Sequence, residues 1–292
     1  MDQFLQQLIN GLSIGSIYAL VALGYTMVYG IIKLINFAHG DIYMLGAYIG
    51  FICMTNFNLG IIESLIITMV LCAIFGMLIE RIAYKPLRAA TRIAALITAI
   101  GVSFLLQYST MKVMGAGVKT YPASLSSVVF TFSGIRISMQ QIYIFVITIV
   151  LMVLLQFVVK KTKIGRAMRA VSVDSDAAKL MGIDVDKTIS YTFAIGSALA
   201  GAAGILVGIY YNSINPFMGA LPGIKAFIAA VFGGIGLLPG AVLGGFSIGI
   251  IETFVSGYGS SLYKDAVVYA ILILILIIKP SGLLGKNTRE KV

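Results

Sequence analysis

From Leu5 to Ile32 the chain contains no Asp, Glu, Lys or Arg, and the same holds from Ile93 to Met111, Met139 to Val159 and Thr188 to Tyr211. Barrel strands alternate in polarity over about ten residues, whereas a helix needs about 20 apolar residues to cross a hydrocarbon core of about 30 Å. Continuous runs of this length therefore specify helices in a bilayer. Composition agrees: 59% of the 292 residues are hydrophobic and 11% are charged, against roughly 25% charged in soluble domains. The chain reads as an all-α integral membrane protein. Its first apolar segment lacks a basic leader and exceeds a signal-peptide core, so it is expected to be a retained span. Cys53 and Cys72 fall inside apolar runs, where a small hydrophobe is the ordinary role; no metal site is expected.

The net charge of +10 matters less than its placement. Arg81–Arg92 carries four basic residues, Lys160–Lys187 seven and Lys279–Lys291 four, out of 21. Lys and Arg near span ends are retained in the cytoplasm, so these three segments are assigned inside, and no basic stripe is left for nucleic acid. Spans are expected at 5–32, 41–55, 60–80, 93–114, 140–159, 188–211 and 264–279, with the N-terminus outside and the C-terminus cytoplasmic. Lys112, Lys119 and Arg136 then belong to a polar, Ser-rich outer loop around Tyr121-Pro122. Between Lys187 and Lys279 the number of crossings must be even, so the region 224–256 must cross twice or fold back. Four glycines and a proline within Gly233–Gly240 supply the break. The expected architecture is one transmembrane domain over 1–292, a bundle of about eight helices with broken or re-entrant segments.

A second candidate break is Ile35-Asn36-Phe37-Ala38-His39-Gly40-Asp41, which gathers Asn, the chain's only His, Gly and Asp between apolar runs. Broken helices in membranes line cavities or are buried in protein, and they often mark transport pathways. Asn36, His39, Asp41, Lys225 and Glu252 are accordingly the candidate pathway residues, since an unpaired charge within a span costs at least about 2.5–3.5 kcal/mol and needs a partner or water. Glu63 shares that position. Glu80 beside Arg81 reads as an interfacial ion pair. Thirty-two glycines, many in runs such as Gly196–Gly204 and Gly240–Gly245, predict close helix packing.

The loop from Lys160 to Lys187 is the most informative segment outside the spans. Ser172 and Asp174 are good N-caps, Asp174–Met181 reads as a short helix, and Gly182 suits a left-handed C-cap. Asp174 and Asp176 sit at the positive end of the helix dipole. Leu180 and Met181 would project as an apolar knob for a groove in a partner.

The run Asp176-Ala177-Ala178, followed after three residues by Gly182, resembles the EAA coupling loop of ABC-importer permeases, with Asp where Glu is commonest. The rest of the chain resembles the LivH-like permease subunit of branched-chain amino acid importers. The resemblance rests on Gly11–Leu20, Ile35–Asp41, Gly165–Val171, Ala226–Gly234 with Pro239-Gly240, and Lys279–Gly285. It implies pairing with a second, similar but different permease, and two ATPase subunits that hold ATP and Mg and bind the cytoplasmic loops, with the loop at 172–182 converting their closure into rocking of the spans. It also implies an extracytoplasmic binding protein that delivers leucine, isoleucine or valine, and a place in the bacterial inner membrane; relatives carry amides, short peptides or urea. Coupling is implied at Asp174, Asp176, Ala177, Ala178, Leu180, Met181 and Gly182. The chain itself has no G-x-x-x-x-G-K-[ST] sequence, so no cofactor or catalytic residue is expected in it and it is not expected to be an enzyme. The competing class is an ion-driven secondary transporter, with Asp41, Glu63 and Glu252 as proton or sodium sites.

Overall fold

The computed structural model describes residues 2–88, 90–122, 128–132 and 134–285. Every expected span is a helix. These are α1 (Asp2–Ile32), α2 (His39–Asn56), α3 (Ile61–Ile79), α4 (Arg92–Met114), α5 (Met139–Lys161), α8 (Val185–Tyr211) and α11 (Lys264–Ile278). The region 224–256 holds two helices, α9 (Ala220–Gly233) and α10 (Leu238–Tyr258). They turn at Gly234 and Gly236, whose φ of +112° and +93° is open only to glycine without strain. Even parity is thereby restored. Among the described residues six helices, α1, α3, α4, α5, α8 and α10, are long and apolar enough to cross a membrane. The rest of the expected set is shorter: α2 has 18 residues, α11 15 and α9 14. At about 1.5 Å per residue, α9 spans about 21 Å, less than a full hydrocarbon core.

Helices α1, α8 and α10 form the centre, with α2 and α9 against them. Glycine permits this closeness: a Cβ at Gly11 or Gly15 would lie 2.8 Å from the Cα of Ile250 or Phe246 in α10. Helices α3, α4 and α5 lie outside and present Ile66, Val70, Ile97, Phe104, Val150 and Phe157 outward.

The break at 33–38 is a re-entry. A Cβ at Gly24, in the middle of α1, would strike the His39 ring, so α2 begins opposite mid-α1 and not at its end. The chain has climbed back about 12 Å, the rise of the eight residues that follow Gly24 in α1. Gly40 is stacked on Gly219 and Gly223, which puts the start of α9 at the same depth. A third irregular segment, 215–219, brings the chain there from the opposite side; sequence reading had not marked it.

The two ends differ. At the basic end α3 runs into a π turn (Glu80–Tyr84) and a 3₁₀ turn (Lys85–Leu87), and two short helices, α6 (Lys163–Val173) and α7 (Ser175–Leu180), lead into α8. The segment after α11 folds back there: the N–H groups of Leu283 and Leu284 donate to Phe232 and Gly233 at 2.8 and 3.1 Å. Lys286, Arg289 and Lys291 lie outside the described residues. At the opposite end the expected polar loop is structured into small antiparallel pairs. β1 (Lys119–Thr120) joins β4 (Ser213–Ile214), and β2 (Val129–Phe132) joins β3 (Ile135–Ser138) with Val129 opposite Ser138. Gln6 secures the hairpin to α1 by hydrogen bonds to both backbone groups of Arg136, at 2.8 and 3.0 Å.

Candidate functional site

Two constellations carry chemistry, one at the basic end and one toward the opposite end. At the basic end, the Asp174 carboxylate accepts from the N–H groups of Asp176 and Ala177, both at 2.9 Å, and caps α7. Ser172 has a different role from the one expected: it lies in α6 and its hydroxyl donates to the Arg169 carbonyl. Gly182 closes α7 at φ +81°, with its N–H on Lys179 O and that of Ile183 on Ala178 O, a Schellman ending. The next residue but one starts again: Asp184 accepts from Lys187 N–H at 3.0 Å, and that bond holds its carboxyl below the usual carboxylate range. A helix capped tightly at both ends thus stands proud of the bundle. Leu180 and Met181 are 89% and 82% exposed, and Asp174, Asp176 and Ala177 are exposed too, whereas Ala178 is buried against the bundle. Val173, at 88% exposed, widens the apolar patch.

Directly after α7, Asp186 pairs with Lys85 at 2.6 Å and with Arg88 at 2.5 Å, and Arg88 also pairs with Glu80. Glu80 is fully buried and accepts from Ser190 of α8 at 2.6 Å. This corrects the expected Glu80–Arg81 pair. Side chains of adjacent helical residues diverge, so Arg81 points outward while the turns at 80–87 bring Arg88 back over Glu80. The result is an ionic strap from the exit of α7 to the end of α3.

Toward the other end, Lys225 of α9 lies 2.7 Å from Glu252 of α10 and 2.6 Å from Asp265 of α11. Tyr18 of α1 donates to the second Glu252 oxygen at 2.8 Å, and Lys264 stands 3.7 Å from Glu252. Lys225 and Glu252 are 5% and 3% exposed. Two expected pathway residues therefore meet in one cluster. The other three do not join it. Asp41, in the first turn of α2, accepts from Gln107 at 2.9 Å; Asn36 accepts from Tyr84 at 2.8 Å; the His39 ring packs edge-on against Tyr25 at 4.7 Å. Glu63 is exposed in the first turn of α3. The acids that an ion-driven carrier would use thus have separate surroundings.

The sequence matches the family model described as branched-chain amino acid transport system permease component over residues 7–276. The chain belongs to this permease family. Among its relatives, the high-affinity branched-chain amino acid transport system permease protein BraD of Pseudomonas aeruginosa is 45% identical, covering 99% of this chain and 98% of its own. LivH of Escherichia coli is 42% identical with the same coverage, and a probable LivH of Methanocaldococcus jannaschii is 32% identical over 94% and 90%. A solved structure titled PsaBC from Streptococcus pneumoniae in complex with Fab superposes with a TM-score of 0.50 at 14% identity, covering 95% of this chain and 92% of that one. It shares the fold. The permease is thus a multi-pass membrane protein and a transport component of its system.

Sequence reasoning about the permease missed Asp265, Lys264, Tyr18, Arg88 and Asp186. Lys264-Asp265 stands at the head of an apolar run, a position that reads as an ordinary interfacial pair. Only the approach of α11 to α9 gives it Lys225 as a partner.

Proposed function

We propose that this chain is the membrane-spanning subunit of an ATP-driven importer for branched-chain amino acids, working beside a second, different permease. Two ATPase subunits bind the cytoplasmic loops of the permease pair, one of them on α7, and an extracytoplasmic binding protein delivers the substrate. The observation that carries the reading is α7 itself: a short helix, capped by Asp174 and closed by Gly182, that leaves Leu180 and Met181 exposed at the basic end. By the positive-inside rule that end is cytoplasmic, so the start of α1 lies outside and the C-terminus inside, in the bacterial inner membrane. ATP and Mg belong to the partners. Movement of α7 on ATP binding would be passed through Asp186 and Arg88 to buried Glu80, tilting α3 against α8. Such coupling requires the ATPases to hold inward- and outward-facing states with different affinity.

The test is uptake of radiolabelled leucine into proteoliposomes that hold the permease with its partner subunits and binding protein. Uptake is expected to require internal ATP and to survive ionophores that collapse every ion gradient. Uptake by this chain alone, abolished by ionophores, would replace the reading with secondary transport.

A further inference from the structure

The ion cluster around Lys225 does not sit in closed packing. It forms one wall of a cavity of about 440 Å³, within the range of about 300–1,000 Å³ typical of small-molecule sites. The cavity lies toward the end opposite α7, between α1, α8, α9 and the head of α11. Its walls fall into two kinds. Lys225, Lys264, Glu252 and Asp265 bring two positive and two negative groups to one side, with the hydroxyls of Tyr18, Tyr43 and Tyr211 beside them. Ile14, Ile17, Val207, Leu221 and Met218 supply aliphatic surface.

We propose that this cavity holds the amino-acid zwitterion within the permease, deepening the importer reading on which it rests. Lys225 and Lys264 receive the carboxylate, Glu252 and Asp265 the ammonium, and the aliphatic wall the branched side chain. Hydrogen-bond capacity supports the assignment. The Lys225 ammonium has three N–H donors; it hydrogen-bonds Glu252 at 2.7 Å and stands at ion-pair distance from Asp265, 2.6 Å. At least one donor remains for a ligand acceptor. Glu252 offers about four lone-pair sites, of which Lys225 and Tyr18 take one on each oxygen. The first turn of α9, which contributes Leu221, has no side-chain cap, and its dipole favours an incoming carboxylate. A buried ion cluster of purely structural purpose contributes little to stability over apolar packing. One that is neutral in sum, faces a cavity and keeps unused donors and acceptors is matched to a neutral ligand with two separated charges.

The experiment uses the assembled transporter in nanodiscs, without binding protein, carrying Leu221→Cys. Leu221 is 54% exposed, so the variant is expected to fold, and Cys53 and Cys72 are buried, so the unsubstituted complex gives the labelling background. N-ethylmaleimide labelling of Cys at this position is followed with L-leucine, leucinamide, which lacks the carboxylate, and 4-methylpentanoate, which lacks the ammonium. Leucine is expected to slow labelling, and each analogue to protect at least about tenfold more weakly in concentration, the loss expected for a missing buried charge contact. Labelling unaffected by leucine, or equal protection by all three compounds, overturns the site. In parallel, Leu221→Trp, which narrows the cavity, is expected to cut leucine uptake in the complete system about tenfold or more while the complex keeps its full set of subunits and its monodisperse profile after extraction. Uptake equal to wild type overturns the site and leaves the importer reading standing. A wild-type complex that takes up no leucine fails the importer reading itself, and the site with it.

Discussion

Helices α5 and α8 have similar lengths, 23 and 27 residues, and opposite fates: 22% of the apolar stretch of α5 is buried and 89% of that of α8. The more apolar of the two is the one left outside, with mean hydropathy 2.9 against 1.9. In water the order would be reversed. In lipid there is no gain from hiding Leu or Val, because acyl chains are equally apolar, and association is driven by close packing of small residues. Helix α8 therefore enters the centre by virtue of Gly196, Ala200, Gly201, Ala203 and Gly204, while α5 turns Val146, Val150, Val153, Leu154 and Phe157 outward. What buries a helix here is its smallness.

That comparison breaks most severely at Gly204. A Cβ there would fall on the backbone of Tyr43 and Ala47 in α2, so Gly204→Leu must push two central helices apart. The expected cost is about 3 kcal/mol or more, seen as loss of the monodisperse permease peak after extraction. A variant with wild-type yield and melting would show that α8 tolerates bulk as α5 does.

The next effect tests the polar contact that α8 makes through Ser190 at its basic end. Arg88→Ala leaves Glu80 buried with Ser190 as its remaining partner, at an expected cost of about 3 kcal/mol. Adding Glu80→Gln removes the stranded charge and should recover most of the loss in thermal unfolding. Absence of recovery would mean that Arg88 acts through packing alone.

A smaller effect on stability, within about 0.5 kcal/mol, is expected for Leu180→Asp and Ala177→Arg on exposed α7. Both should nonetheless lose co-purifying ATPase subunits and leucine uptake. Retention of both by both variants would sink the coupling role of α7. The smallest effect belongs to Val153→Ala on the outer face of α5, where uptake and melting should match wild type within about 0.5 kcal/mol; a larger shift would show that α5 packs against protein and not lipid.

The span pattern was legible in sequence because it depends on local hydropathy, and so was the basic end, because Lys and Arg cluster there. The end of α7 was legible because Asp174 and Gly182 act within one turn of themselves. Glu80 shows where that reading stops. Its neighbour Arg81 was the nearest cation in sequence, but helix geometry sends adjacent side chains apart, and the π turn that delivers Arg88 has no sequence signature. The parity argument required a fold-back in 224–256 without saying that α9 would be short or that it would start at the depth of Gly40.

By itself the sequence determined that this protein lives in a bilayer, where its helices run, which end is basic and which short helix stands out from that end, since each follows from residues within a few turns of one another. Only the tertiary structure decided that Lys225, Glu252, Asp265 and Tyr18 share one cavity. Glu252 is 27 residues from Lys225 and 234 from Tyr18, and their meeting depends on how closely glycine lets four helices approach, which no local pattern encodes.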